Sequence, residues 1–465
     1  MMKAGMQRRM AAVLVLLVGA AAWAQWNPAG GQWGKTEPTD VRVMTYNIRD
    51  HICRNALKAE GYNGWCALAR VVAAMKPDIL LLQEAGDNTG NGTPGGGDSV
   101  EQLTITLGLF LRGGTDPFSP GGPVGAHVQK YAPGYDLPYV WVSSLTDGYN
   151  RNVILSRFPF ADLNGDGVSQ RPSPATVSAD LYAWGGNGGI RGFMFAELDL
   201  PNAVYAGDLV VGNAHLQSGG TSSDLTARER AARNVAYYID YLLNGAGGTV
   251  PDPRNKIADV PPATRILGPT TPVIIGGDWN EDEAANGRKG PAEWLTRAEL
   301  TGGADGTDRD RSDMLFDASL EPRSNTRDTH NAGGKLDYIA WQDSIATLRR
   351  SFIFYSNELW NSPSWIPPEL IGFPNAAYWV SSVASDHRPV IADFILPLTP
   401  PGTPADLNCD GAVNFDDIEA FVLALSGRAG YESAYPDCRW LNGDLNGDGT
   451  VNFDDIDAFV AALAG

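Results

Sequence analysis

The stretch VASDHRPVIADFIL, residues 383–396, sets an acid and a histidine, Asp386 and His387, directly before an apolar run. Val390, Ile391, Phe394 and Ile395 ask for burial in a strand, so the pair stands at a strand's mouth. Alone, such a pair reads as a polar loop entering a strand. Whether it is more depends on how the other strands of the chain end.

They end alike. Residues 25–396 alternate strand-like and helix-like segments. VRVMTYN (41–47) ends in Asn47, and ILLLQE (79–84) ends in Glu84. YVWVSS (139–144), NVILSR (152–157) and GFMFAELDL follow; LVVGNAHL then offers Asn213 and His215. PVIIGGDW leads to Asp278 and Asn280, and LDYIAW carries Asp337. The spacing predicts helices over 65–75 and 224–243, the second behind a Ser222-Ser223-Asp224 capping signal. Apolar strands covered by helices argue for a layered α/β fold, and strand ends are where such folds gather active-site groups. Acids following apolar strands would be costly if buried alone; a shared cation removes that cost. The Gly-rich 86–135 and the Trp/Pro-rich 357–380 read as surface insertions.

As a set, these motifs resemble the endonuclease/exonuclease/phosphatase superfamily across most of residues 41–396. The resemblance implies a four-layer sandwich of two packed mixed β-sheets with helices outside, and a metal-dependent phosphodiester hydrolase. It implies that Glu84 binds Mg²⁺ (or Mn²⁺) directly, with Asn47 beside it and Asp386 holding the metal directly or through water. His387 would contact the scissile phosphate, oriented and kept basic by Asp337. Asp278 would position or deprotonate the attacking water, Asn280 would donate to a phosphate oxygen, and His215 would be a second active-site histidine. Arg157 and Asn213 are weaker candidates for phosphate contact. The chemistry suits these types: a hard cation on carboxylate and amide oxygens offsets phosphate charge and activates water, while His and Asn donors meet charge that grows in the transition state.

At 465 residues the chain is long enough for two or three domains. Lys3, Arg8 and Arg9, then apolar Met10 to Ala22, then Ala22-Trp23-Ala24 read as a signal peptide over residues 1–24. A secreted or cell-surface protein without a membrane span is expected, and export favours local disulfides, Cys53–Cys66 and Cys409–Cys438. Residues 397–404 are a Pro/Thr/Gly linker. From Ala405 onward 12 acids face two bases, −10 of the chain's −19. The remainder is also acidic, which argues against tight non-specific binding to polyanions.

Residues 405–465 repeat. DLNCDGAVNFDDIEAFVLALSG and DLNGDGTVNFDDIDAFVAALAG begin at Asp406 and Asp444. Oxygen-bearing residues fall at the spacing of a Ca²⁺ loop: Asp406, Asn408, Asp410, Asn414 and Asp417 for one ion, and Asp444, Asn446, Asp448, Asn452 and Asp455 for a second. The pair resembles a type I dockerin, each EF-hand-like loop followed by one helix. That implies a small all-α anchoring module with a cohesin-like or cell-surface partner. Phe415-Asp416 and Phe453-Asp454 replace the small or hydroxylated residues usual at the recognition positions.

Three weaker signals remain. DLNGDG at 162–167 copies the start of a Ca²⁺ loop but lacks its final acid, so it reads as a Gly/Asx turn, with a stabilising Ca²⁺ site as the alternative. Trp360, Trp365, Ile366, Phe373 and Trp379 precede the Asp386-His387 pair and read as a packed hydrophobic flap; the alternative, from resemblance, is the exposed aromatic hairpin that bacterial sphingomyelinases carry there. His51, His127 and His330 lack a motif setting and read as surface or hydrogen-bonded residues. The reading is a secreted, divalent-metal-dependent phosphodiesterase, nuclease-like in substrate. The alternatives are a sphingomyelinase-like phospholipid phosphodiesterase and a non-catalytic binding protein on the same scaffold.

Overall fold

All seven residues of Val41–Asn47 (β1) are buried, as in a strand covered on both faces. The computed structural model describes residues 26–52, 58–86, 99–118, 121–143, 150–161, 163, 193–202, 204–243, 268–296, 314–399, 402–435, 438–448 and 450–463. The expected signal peptide and the DLNGDG turn lie essentially outside them. The other principal strands are β2 (Ile79–Gln83), β3 (Tyr139–Val142), β4 (Val153–Ser156), β5 (Phe193–Leu198) and β6 (Leu209–His215). Then come β7 (Val273–Asp278), β8 (Leu315–Phe316), β9 (Asp337–Trp341), β10 (Thr347–Ile353) and β11 (Val390–Ile395).

One sheet runs β10-β11-β1-β2-β4-β3 and the other β8-β9-β7-β6-β5. Both are mixed. β1/β2 and β6/β7 are parallel, and the remaining neighbours are antiparallel. Side chains alternate between two covers. Val41, Val43, Ile79 and Leu81 meet Val211, Ile274 and Ile339 of the second sheet. Met44, Leu80 and Leu82 face the other way, onto Leu68 and Val72 of helix Gly64–Met75. Val210, Ile275 and Ala340 face Ala231, Val235 and Ile239 of helix Ser222–Leu243. The order is helix, sheet, sheet, helix, as the family resemblance implied.

Gly276 sets the separation of the sheets: a Cβ there would lie 2.8 Å from Leu81 Cδ1 and 3.1 Å from Thr45 Cβ of the facing sheet. Across β1 and β11, Arg42 Nε and Nη2 donate to Asp393 Oδ1 and Oδ2 at 2.6 and 2.8 Å. This buried bidentate pair is satisfied further by the carbonyls of Trp33 and Met75. Removing one partner would strand a buried charge, so the pair holds the register that brings β11's entry beside β1's end.

Several expectations need correction. The long second helix begins at Ser222, capped by Thr221 rather than by the Ser-Ser-Asp run. Asp224 N donates to Thr221 Oγ1 (3.4 Å) and Thr221 N to Asp224 Oδ2 (3.0 Å), a reciprocal box. Within 86–135, helix Val100–Arg112 sends Leu103, Leu107, Phe110 and Leu111 into the main core, so that part is structural rather than an insertion. Strand β10 was not expected, because Arg349 and Arg350 break its apolar run at an edge of the sheet. Cys409–Cys438 is bonded. Cys66 is not: it is a free buried thiol, 3.4 Å from both Glu60 Oε2 and the Tyr131 hydroxyl at the start of its helix. Cys53 lies outside the described residues.

The C-terminal repeat is a repeat in space. Asn414/Asp417 and Asn452/Asp455 form matching capping boxes ahead of helices Ile418–Ser426 and Ile456–Leu463. Phe421 and Phe459 stack at 4.0 Å between their centroids. Among the described residues no helix is long and apolar enough to cross a membrane.

Candidate active site

Strand direction alone gathers seven groups at one edge. β1 and β2 are parallel with Asn47 opposite Gln83, so Asn47 and Glu84 leave the first sheet together. β11 runs antiparallel to β1, so Asp386 and His387 enter where β1 and β2 end. In the second sheet His215, Asp278 and Asp337 form one row: His215 is opposite Asp278, and Asp278 is opposite Asp337.

The two sheets then touch through these groups. Asn47 Nδ2 donates to Asp278 Oδ2 at 3.0 Å. His387 Nδ1 lies 2.8 Å from Asp337 Oδ2 and its Nε2 3.7 Å from Asp278 Oδ2. His215 Nε2 sits between sets, 3.4 Å from Asp278 Oδ2 and 3.9 Å from Glu84 Oε1. Asn280 N donates to Asp278 Oδ1 at 2.9 Å, and its side-chain amide donates to Leu216 O at 3.0 Å. Asn47, His215, Asp278, Asp337 and His387 are buried, whereas Glu84 and Asp386 are half-buried. Glu84, Asn280, Arg49 and Asp50 take left-handed backbone at φ 53, 56, 47 and 61°, a conformation costly for non-glycine residues and concentrated at functional sites.

Charge follows from this packing. Burial pushes the Asp278 carboxyl up, against the His387 charge and with the help of Asp337. Burial alone would lower His387, but the anions of Asp337, Asp278 and Asp386 and the Asp337 hydrogen bond outweigh it and raise its pKa to about 10. His387 is therefore an imidazolium at neutral pH, donating from Nδ1 to Asp337 and presenting Nε2–H beside Asp278.

Asp278, Asp337 and His387 bring ligand-type atoms within 4.8 Å of one another, close enough to hold a cation. Asp337 Oδ2 and His387 Nδ1 are already spent on each other, which suits the trio better to orienting a proton donor. Glu84, Asp386 and Asn47 bring further hard oxygens to the same edge, where they could hold a divalent cation. Arg49 Nε lies 3.4 Å from Asp386 Oδ2, and His215 Nε2 lies 3.9 Å from Glu84 Oε1. This donor set fits Mg²⁺ or Mn²⁺.

Two expected residues are placed elsewhere. Arg157 closes β4, whose Ser156 is opposite Ile79 at the start of β2. It therefore lies at the far edge of the sheet, 3.2 Å from Asp78. Asn213 is buried beneath the site. Its Nδ2 donates to Leu82 O (2.8 Å) and Val153 O (2.9 Å), and its Oδ1 accepts from Gln83 Nε2 at 2.7 Å. It pins the two sheets rather than meeting phosphate. Conversely, Ser385, Thr329 and His330 had no place in the expected site. Ser385 Oγ donates to Asn47 O (2.7 Å) and accepts His387 N (3.1 Å). Thr329 Oγ1 accepts Asp337 N at 3.1 Å. The His330 ring centroid lies 4.8 Å from that of His387. The adjacency of Ser385 to the Asp-His pair was the one usable signal; Thr329 and His330 arrive through a turn with no periodicity.

Residues 44–387 match the family described as Endonuclease/Exonuclease/phosphatase family. Solved structures with similar chains include an endonuclease/exonuclease/phosphatase from Beutenbergia cavernae (18% identity, 77% of this chain and 72% of that one, TM-score 0.41). The human Nocturnin catalytic domain with bound sulfate is 14% identical over 77% and 95% of the two chains, with a TM-score of 0.39. The mannosyl-6-phosphatase of Bacteroides thetaiotaomicron is 14% identical over 77% and 100%, with a TM-score of 0.38. No curated protein matches the chain.

Proposed function

The chain belongs to the endonuclease/exonuclease/phosphatase family, whose members hydrolyse phosphoester bonds, and from that premise we propose that it is an exported, divalent-metal-dependent phosphodiesterase. The observation that carries the reading is the joining of two strand-end sets, Glu84/Asn47/Asp386 and His215/Asp278/Asp337, through the Asn47–Asp278 and His387–Asp337 bonds. A cation bound by the first set supplies charge neutralisation at the phosphate and a lowered pKa for bound water. Asp278, held by Asn47 and the Asn280 backbone, orients the attacking water and accepts its proton. His387 donates from Nε2 to the phosphate oxygen on which charge grows. Asp337 keeps that imidazole charged and in place, and the Asn280 amide adds a donor.

The proposed substrate is nucleic acid. One observation favours a second reading, a phospholipid phosphodiester: Trp360, Ile371 and Trp379 stand 66, 66 and 43% exposed in the segment leading to His387. Residues 405–465 are proposed as a dockerin-like anchoring module binding two Ca²⁺. Buried Asp406 Oδ1 has no hydrogen-bond partner among the described residues, and Asp417 and Asp455 close the two loops in the same way. The test offers plasmid DNA, RNA and sphingomyelin vesicles to the purified chain with Mg²⁺ or EDTA, with His387→Ala as control. Metal-dependent cleavage lost in the variant supports the proposal, and the cleaved polymer or lipid identifies the substrate. A chain that cleaves no phosphodiester under Mg²⁺ or Mn²⁺ refutes it and favours the binding scaffold.

A further inference from the structure

Residues 329–337 form a closed turn. Thr329 N donates to Gly334 O (2.9 Å), Gly333 N to His330 O (3.0 Å) and Gly334 N to Asp328 Oδ1 (2.9 Å). Gly333 and Gly334 permit it at φ 92 and 88°. Thr329 Oγ1 also accepts Leu336 N (2.8 Å) and Asp337 N (3.1 Å), so the turn delivers His330 and Asp337 as one unit. The same turn pairs with the entry to β11. Arg388 N donates to Thr329 O (2.7 Å) and Asn331 N to Asp386 O (2.9 Å), which sets His330 opposite His387 in an antiparallel bridge. The two rings meet edge to face, centroids 4.8 Å apart at 62°. The His330 ring is itself locked, because its Nδ1 accepts Ala332 N at 3.1 Å.

We propose that His330 is a positioning residue for His387. His387 is tethered at one atom, Nδ1, by Asp337; a single hydrogen bond leaves the ring free to swing about that contact. The His330 ring removes this freedom by packing against it, from a backbone already bridged to His387. The proposal rests on the phosphoesterase reading, in which His387 Nε2 must sit against the phosphate, and a misplacement of ~1 Å can cost ~10²-fold in rate. An aromatic ring of similar size can do the same work, and its face also suits a cation.

The test compares His330→Ala and His330→Phe. Expected is a fall in kcat of about 10-fold in His330→Ala with KM little changed, and recovery to within about threefold in His330→Phe. The second readout needs no substrate. The His387 Nδ1 proton, held by Asp337, gives a downfield proton resonance that stays sharp in the parent and in His330→Phe and broadens by exchange in His330→Ala. A sharp resonance and unchanged kcat in His330→Ala would overturn the proposal. So would a His330→Phe variant as slow as His330→Ala with the resonance still sharp, since the Nε2–H would then be acting on substrate instead. If the parent cleaves no phosphodiester, the catalytic reading falls on its own and the resonance alone decides whether His330 holds His387.

Discussion

Replacing Asp337 by Asn keeps the shape of the side chain and removes its charge. In the parent, Asp337 Oδ2 is 2.8 Å from His387 Nδ1, and both groups are buried. Two opposite charges about 4 Å apart attract by roughly 4 kcal/mol at an effective dielectric of 20, about three decades of preference for the imidazolium. Without that anion, burial acts on His387 with only Asp278 and Asp386 opposing it. The sign is fixed: a His pKa raised by its partners means the cation persists below that pKa and is lost as pH rises through it. Hydrolysis by the parent should therefore hold up to alkaline pH, with its limb near the His387 pKa of about 10. In Asp337→Asn the limb should move down toward neutrality. A positioned proton donor contributes about 10²–10⁴-fold, so kcat at pH 7.5 should fall by about 10²–10³ and recover in part at pH 5.5. The assay is hydrolysis of bis(p-nitrophenyl) phosphate at saturating Mg²⁺ from pH 5 to 10, with circular dichroism to confirm the fold. A variant within threefold of the parent at pH 7.5, with its alkaline limb unmoved, would refute the role given to Asp337.

Arg157→Ala should leave kcat and KM within about twofold and change stability by less than about 1 kcal/mol, because the Arg157 side chain is exposed at the edge away from the site and its buried partner Asp78 keeps Lys35 at 2.7 Å. Kinetics and a urea titration check both. Asn213→Ala should lower stability by about 2 kcal/mol, read as a drop in urea midpoint, because it removes the buried donor to the carbonyls of Leu82 and Val153 and one acceptor of the Gln83 amide, which keeps Thr45 Oγ1 and Leu81 O. Calorimetric titration of the chelator-treated chain with Ca²⁺ should show two ions bound in the C-terminal loops, and Asp406→Ala should leave one; no heat from either protein would count against the Ca²⁺ assignment.

Much of this protein could be read from local pattern. Apolar runs that end in Asn47, Glu84 and Asp278, or that begin behind the Asp386-His387 pair, mark strands and site together, because burial of a strand and exposure of its end are both local facts about the chain. The C-terminal repeat is legible for the same reason, since each loop and its helix lie within about 20 residues. Strand direction and facing were not local. Arg157 ends a convincing strand, yet β4 runs against β2 and carries it to the wrong edge. Asn213 shares a strand and a face with His215, two residues deeper, and that one step of rise puts it between the sheets instead of at their mouth. Cys66 was paired by proximity in sequence, but its helix turns the thiol toward Glu60 and Tyr131. His330 carried no pattern at all. The chain by itself determined which side chains end strands. Only the packing of one sheet on the other, made close by a glycine facing Leu81 and Thr45, decided which of them touch and therefore which are charged. Hydrogen bonds of about 3 Å between residues more than 200 apart depend on distances that no local sequence period encodes.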